Sequence, residues 1–356
     1  MPPRAPRSGA RIRPLLALAL VASLLVPGVP VSATVLPSNV RPTLAAAASD
    51  LEVLWRDGCF AGYAVRSPKT GCIFGKSNGT FRVALVGDSH ASAWFPAVER
   101  VAKARGWRLE TFVKASCEPV DMRQWSLVKG REYYECKAFL DATLKRLAAH
   151  PPDLLIVTAS RIALIPVRGG DRTMAAKVAA FAREIRRMRA KEKVILGDVP
   201  YPGRDIPACL AANRYRIQAC GIARWATTFS YGQLERGAAR AAGVPRLDIV
   251  RAGWCRSSAT CPVVVNGMVA YRDRHHLTAT FSRSMGPVLS SELRRILPNL
   301  PDGTAPTPPP NPTPTPGPTP TATPEPAPTA TDPAPTPTPT PGPTVTPPDP
   351  TPTPAP

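Results

Sequence analysis

Two short segments far apart in the chain hold the side chains from which nucleophilic catalysis is built: Gly87-Asp88-Ser89-His90 and Asp273-Arg274-His275-His276. A serine hydroxyl is a poor nucleophile at neutral pH. It becomes a useful one when an imidazole takes its proton and a carboxylate holds that imidazole in the right tautomer. Ser89, His276 and Asp273 can fill these roles in that order. Asp273 precedes His276 by three residues, so a single turn lets the carboxylate reach one ring nitrogen while the other faces the serine. The chain has four histidines, His90, His150, His275 and His276, which narrows the choice of base. His275 reads as an exposed bystander. His150, just before Pro151-Pro152, reads as a helix-end residue meeting terminal carbonyls. The competing reading of Asp273 is a helix cap.

The elements that must position these residues follow from the hydrophobic pattern. Arg82 to Val86 reads as a short buried strand that breaks at Gly87 and delivers Ser89 onto the loop before a helix beginning near Ser92. Further strands are expected at Leu109 to Val113, Leu154 to Thr158, Val194 to Gly197 and Arg246 to Ile249. Helices are expected at Ala93 to Arg105, Tyr134 to His150, Thr173 to Ala190, Arg224 to Ala242 and Thr278 to Ile296, with apolar residues at three- and four-residue spacing. This alternation implies an α/β fold: a three-layer sandwich with a central parallel sheet and right-handed crossovers. Ser89 then lies at the carboxyl edge of the sheet, where ligands bind and where amides at a helix start can stabilise an oxyanion.

With these motifs in place, the sequence resembles the SGNH (GDSL-like) hydrolases, and most closely the SGNH domains attached to bacterial membrane O-acyltransferases. The resemblance rests on Gly87-Asp88-Ser89-His90, Lys114-Ala115-Ser116-Cys117, Ser160-Arg161, Tyr271-Arg272-Asp273 and His276-Leu277, spread over roughly residues 51 to 297. It implies Ser89 as nucleophile, Asp273 as orienting acid and His276 as base, with Asp88 shaping the loop. Gly87, Asp88, His90, Ser160 and Arg161 would form the substrate-binding or oxyanion surroundings. The family's pattern also has a glycine and an asparagine completing the oxyanion hole. Neither has a clear counterpart, and Ser160-Arg161 stands where the asparagine is expected, with Arg161 the candidate substitute donor. Lys114 reads as a solvated loop lysine. No cofactor is implied, and with no Cys-x-x-Cys spacing no metal site is expected.

Residues 1–33 carry four arginines and no acid, an apolar run from Leu15 to Val26 and a Val31-Ser32-Ala33 cleavage site. That is the pattern of a secretory signal peptide, with an uncleaved anchor as the alternative. Residues 34–50 read as a linker, 51–300 as the α/β domain, with 51–80 a stapled entry segment. Eight cysteines fit export, and nearest-neighbour pairing is expected: Cys59 with Cys72, Cys117 with Cys136, Cys209 with Cys220 and Cys255 with Cys261. Residues 301–356 contain 25 of the 46 prolines and no aromatic or basic residue. Such a segment cannot bury a core and reads as a disordered, polyproline-like Pro/Thr-rich tail.

The formal net charge is +20, which in a secreted or cell-envelope protein points to anionic envelope polymers, not nucleic acid. The resulting expectation is a secreted bacterial serine esterase or O-acyltransferase, O-acetyl transfer foremost. It would act on an extracellular polysaccharide or cell-wall glycan, with a separately encoded membrane acyltransferase as a possible partner. The alternative is a carbohydrate-binding or cell-envelope module that kept the fold without the chemistry.

Overall fold

Strands of this chain are short apolar runs buried on both faces, as in parallel sheets sandwiched by helices. The computed structural model describes residues 35–160, 173–223, 231–255 and 260–301. The expected signal peptide, Arg161, the start of the helix expected from Arg224 and the Pro/Thr-rich segment from residue 302 lie outside these residues. Among them, one sheet contains β1 (Phe60–Ala61), β2 (Ile73–Gly75), β3 (Arg82–Gly87), β4 (Arg108–Lys114), β5 (Leu154–Thr158), β6 (Glu192–Leu196) and β7 (Arg246–Leu247). Six strands run parallel in the order β1-β4-β3-β5-β6-β7, and β2 lies antiparallel on the outer edge of β4.

Alternation along each strand sorts side chains into two cores. Val83, Leu85, Leu109, Leu154, Ile156, Val194 and Leu196 face one side, packing with Trp94, Phe95, Phe281 and Leu289. Ala84, Val86, Phe112, Leu155, Val157 and Ile195 face the other, against Leu147, Phe181, Ile185 and Ala238. The helices divide accordingly. α1 (Ser89–Ala104), α5 (Ala279–Ser284) and α6 (Gly286–Ile296) cover the first face; α2 (Tyr134–Ala149), α3 (Met174–Arg187) and α4 (Tyr231–Ala242) lie with the second. Each fully buried Leu, Ile, Val or Phe contributes roughly 1.5–3 kcal/mol, so the two cores jointly hold the sheet that carries the site.

Three differences from the sequence reading bear on how the site is held. The helix expected from near Ser92 begins at Ser89, because Asp88 is its N-cap and accepts from the His90 amide at 2.9 Å. The single helix expected over Thr278 to Ile296 is two, interrupted at Met285, with Pro287 in the first turn of the second. Residues 35–50 are not a linker: Leu44–Ala47 forms a helical turn capped by Thr43, and Val40 and Ala47 are buried in the first core. All four expected disulfides are present: Cys59–Cys72, Cys117–Cys136, Cys209–Cys220 and Cys255–Cys261.

Candidate active site

β3 ends at Gly87, and the chain must turn there into α1 while staying pressed against β5. A side chain at this position has no room: a Cβ on Gly87 would lie 2.0 Å from the Thr158 carbonyl oxygen and 2.8 Å from the Ala91 Cβ. The turn is then pinned by Asp88. Its Oδ1 accepts the His90 amide and its Oδ2 accepts the Ser160 amide, each at 2.9 Å. One carboxylate thus caps α1 and ties it to the end of the adjacent strand. Beneath it, Glu118 is 1 % exposed. Burial first, and then the charge of Asp88 and a hydrogen bond with it, push the Glu118 carboxyl well above its usual range.

Ser89 is the first residue of α1 and is half-buried. Its Oγ lies 2.8 Å from His276 Nε2, and His276 Nδ1 lies 2.7 Å from Asp273 Oδ2. The Asp273 Oδ1 accepts the backbone amides of His275 and His276 at 2.8 and 2.7 Å. Burial opposes its charge, but the His276 hydrogen bond and charge and these two amides overcome that and bring its carboxyl far below the usual range. Burial lowers the His276 pKa from the ordinary histidine value and the Asp273 hydrogen bond partly restores it, so the ring is neutral at pH 7. Since a carboxylate only accepts, Nδ1 carries the ring proton and Nε2 presents a lone pair to the serine hydroxyl. The helix that follows is capped by Thr278, so the competing reading of Asp273 as its cap fails.

The loop bearing Asp273 is anchored through Arg272, which is buried. Arg272 Nη1 donates to Glu52 Oε2 at 2.9 Å; Glu52 Oε1 accepts the Trp55 indole N–H at 2.7 Å and also the Ser92 hydroxyl. Glu52 therefore links the entry segment, α1 and the Asp273 loop. Sequence reasoning missed Glu52 because nothing local distinguishes it from a surface glutamate.

Other expectations fare unevenly. Gly87, Asp88, His90 and Ser160 surround Ser89, but Asp88, His90 and Ser160 are buried and bond to one another or to the protein interior. They position the turn instead of lining a substrate surface. His275 is not an exposed bystander: it is half-buried, and its Nδ1 lies 3.0 Å from His90 Nε2. Burial first, then the neighbouring imidazoles, lower its pKa to about 4. His90 in turn places Nδ1 2.6 Å from Asp198 Oδ1. Asp198 also went unread, although Gly197-Asp198 follows β6 much as Gly87-Asp88 closes β3. Lys114 is no solvated loop residue: it closes β4, is buried, and donates to the Gly62 carbonyl at 2.6 Å, with burial lowering its pKa to about 8. His150 is the C-cap of α2, as expected.

Ser116 stands out beyond β4. Its φ is 46°, the left-handed conformation in which glycine is at ease and other residues are uncommon. Val113 pairs with Gly87 in register, so Ser116 lies two residues past the end of β4, the strand beside β3. A cleft of about 500 Å³ lined by Lys76, Thr80, Arg105, Trp107 and Asp153 opens at the opposite, amino-terminal ends of the strands and includes none of the triad side chains.

Comparison with known proteins bears on the fold and the family. No curated protein sequence matches the chain. Among solved structures, the periplasmic domain of the Salmonella ser. Paratyphi A lipopolysaccharide acetyltransferase is similar in fold. The TM-score is 0.50 at 15% identity, over 67% of this chain and 93% of that one. A lipase/acylhydrolase from Enterococcus faecalis aligns over 62% of this chain and 100% of its own, with a TM-score of 0.34 at 13% identity. The family model described as "SGNH domain (fused to AT3 domains)" matches residues 52–291, a span that contains Ser89, Asp273 and His276, and the chain belongs to that family.

Proposed function

We propose that the chain is a serine esterase or O-acyltransferase acting on an O-acetylated or acetyl-accepting glycan outside the cytoplasm, with Ser89 as nucleophile, His276 as base and Asp273 as orienting acid. The observation that carries this reading is the continuous hydrogen-bonded chain Asp273–His276–Ser89 at the carboxyl edge of β3. Ser89 Oγ attacks the acyl carbonyl carbon while its proton passes to His276 Nε2. The tetrahedral intermediate collapses, the ester C–O bond breaks, and the imidazolium returns the proton to the leaving alkoxide. Water or a sugar hydroxyl then gives its proton to His276, attacks the acyl-enzyme, and Ser89 leaves as the restored hydroxyl. The developing oxyanion is met by the Ser89 amide in the first turn of α1 and, in this reading, by the Ser116 amide. Among the described residues that amide has no backbone partner, and its left-handed conformation replaces the family's glycine.

The SGNH family includes hydrolases and acyltransferases, and the triad serves both. The four disulfides support an oxidising, extracytoplasmic site of action. No helix among the described residues is long and apolar enough to cross a membrane. A separately encoded membrane acyltransferase is the proposed acyl source if the reaction is transfer. The surplus of basic residues favours retention on anionic envelope polymers over any nucleic acid.

The test is release of p-nitrophenol from p-nitrophenyl acetate by the wild-type chain beside folded Ser89→Ala and His276→Ala variants. Turnover by the wild type alone is expected. Equal rates in all three would overturn the triad assignment for simple esters.

A further inference from the structure

Three of the four histidines of the chain meet at one place. A nitrogen of His90, one of His275 and one of His276 lie within 4.8 Å of one another. Two of these rings are already held as metal-binding imidazoles are held, with a carboxylate behind them. Asp198 Oδ1 sits 2.6 Å from His90 Nδ1, and Asp273 Oδ2 sits 2.7 Å from His276 Nδ1. Because each carboxylate accepts, each Nδ1 carries the proton and each Nε2 offers a lone pair. His275 completes the set. Its plane is within 11° of His90's, with centroids 5.2 Å apart and the facing nitrogens 3.0 Å apart. That is an edge-to-edge arrangement in which the His275 N–H points into the His90 lone pair. Moving that proton to the other His275 nitrogen leaves three lone pairs converging, with no proton released.

We propose that His90, His275 and His276 form a binding site for a divalent late first-row transition ion such as Zn²⁺, with Asp198 and Asp273 as its outer-shell carboxylates. Three imidazoles select ions of this class over Mg²⁺ and Ca²⁺, which prefer oxygen ligands. With metal–nitrogen bonds of about 2.0–2.1 Å, tetrahedral ligation places ligand nitrogens about 3.3 Å apart, so His90 and His275 separate by a few tenths of an ångström from their 3.0 Å contact, while the widest pair of the three, within 4.8 Å, closes by about 1.5 Å. The two carboxylates offset the ionic charge; the nearby Arg272 is itself paired with Glu52. Occupancy has a direct consequence for the triad. An ion on His276 Nε2 takes the lone pair that faces Ser89 Oγ, so the bound form cannot activate the serine, and a chelator restores it. The sequence did not suggest such a site because its ligands come from the first turn of α1 and a loop far downstream, with no local metal-ligand spacing.

Binding is tested by calorimetric titration of Zn²⁺ into the full-length chain carrying Ser89→Ala, so that the readout does not depend on any esterase activity. One ion per chain is expected, with the intense visible absorption of tetrahedral Co²⁺ when cobalt replaces zinc. In that background, His275→Ala and the more conservative His275→Gln should each abolish or greatly weaken binding. Asp198→Asn should weaken it about ten- to a hundredfold, and His150→Ala should leave it unchanged. Circular dichroism identifies any variant that fails to fold, and the two His275 substitutions serve as checks on each other. Absence of saturable binding to the Ser89→Ala chain, or unchanged affinity in folded His275→Ala, would overturn the proposal.

Discussion

Asp273 uses both carboxylate oxygens, one for the His276 ring and one for the amides of His275 and His276. An asparagine can keep its carbonyl oxygen on the two amides, but its NH₂ then faces His276 Nδ1 and forces the ring proton onto Nε2. Asp273→Asn is therefore expected to fold normally and to lose about 10⁴-fold in kcat, measured as ester turnover beside a circular dichroism spectrum. Glu118 presents a different single-residue effect. Its carboxyl is raised well above the usual 4.5 when folded, so above that pH the folded state binds more protons than the unfolded one. Its contribution is present in full below pH 4.5 and is lost as pH rises through the folded value. Glu118→Gln has no proton to lose, and its amide still donates to Asp88. The stability difference between wild type and Glu118→Gln should therefore move in favour of the variant as pH rises, read from thermal melts across pH.

At the scale of elements, the site is a junction of β3, α1, β5 and the Asp273 loop, and each joint rests on a side chain too small or too buried to replace. Gly87→Ala forces β3 away from the Thr158 carbonyl. A loss of about 3 kcal/mol in denaturant melts is expected, with activity falling further than stability because Ser89 moves with the turn. Glu52→Ala leaves the Arg272 guanidinium buried without its carboxylate and releases Ser92 of α1. Breaking one side of a buried pair costs about 3–5 kcal/mol, and urea unfolding should show it. A loss within measurement error would mean that the entry segment does not hold the Asp273 loop in place.

For the whole molecule, disulfides brace the connections around the sheet. Cys117–Cys136 spans 19 residues between the end of β4 and the first turn of α2 and lies against Tyr133 and Leu140. The Cys117→Ala/Cys136→Ala double variant is expected to lose about 3 kcal/mol, seen as a lower midpoint in chemical denaturation. Because Ser116 adjoins this bridge, ester turnover should drop in the variant even under conditions where it remains folded.

Much of this architecture was legible in the chain because it is written in local signals. Short apolar runs alternating with amphipathic stretches define a sandwiched parallel sheet, Asp-x-x-His predicts an imidazole backed by a carboxylate, and close cysteines favour local bridges. The sequence alone thus pointed to the fold class, to Ser89, Asp273 and His276 as one set, and to nearest-neighbour pairing of the cysteines, which the structure shows as four disulfides. Only the tertiary structure decided what depends on contacts between distant segments. It put Ser89 in the helix and not before it, since Asp88 bonds both to α1 and to the end of β5. It buried His90 and Lys114, which look polar and solvated in one dimension. It also brought Asp198 and Glu52 to the site from two distant segments and turned His275 inward against His90. Side-chain burial and long-range hydrogen bonding have no period along the chain; they arise when the sheet order β4-β3-β5-β6 sets the ends of neighbouring strands side by side.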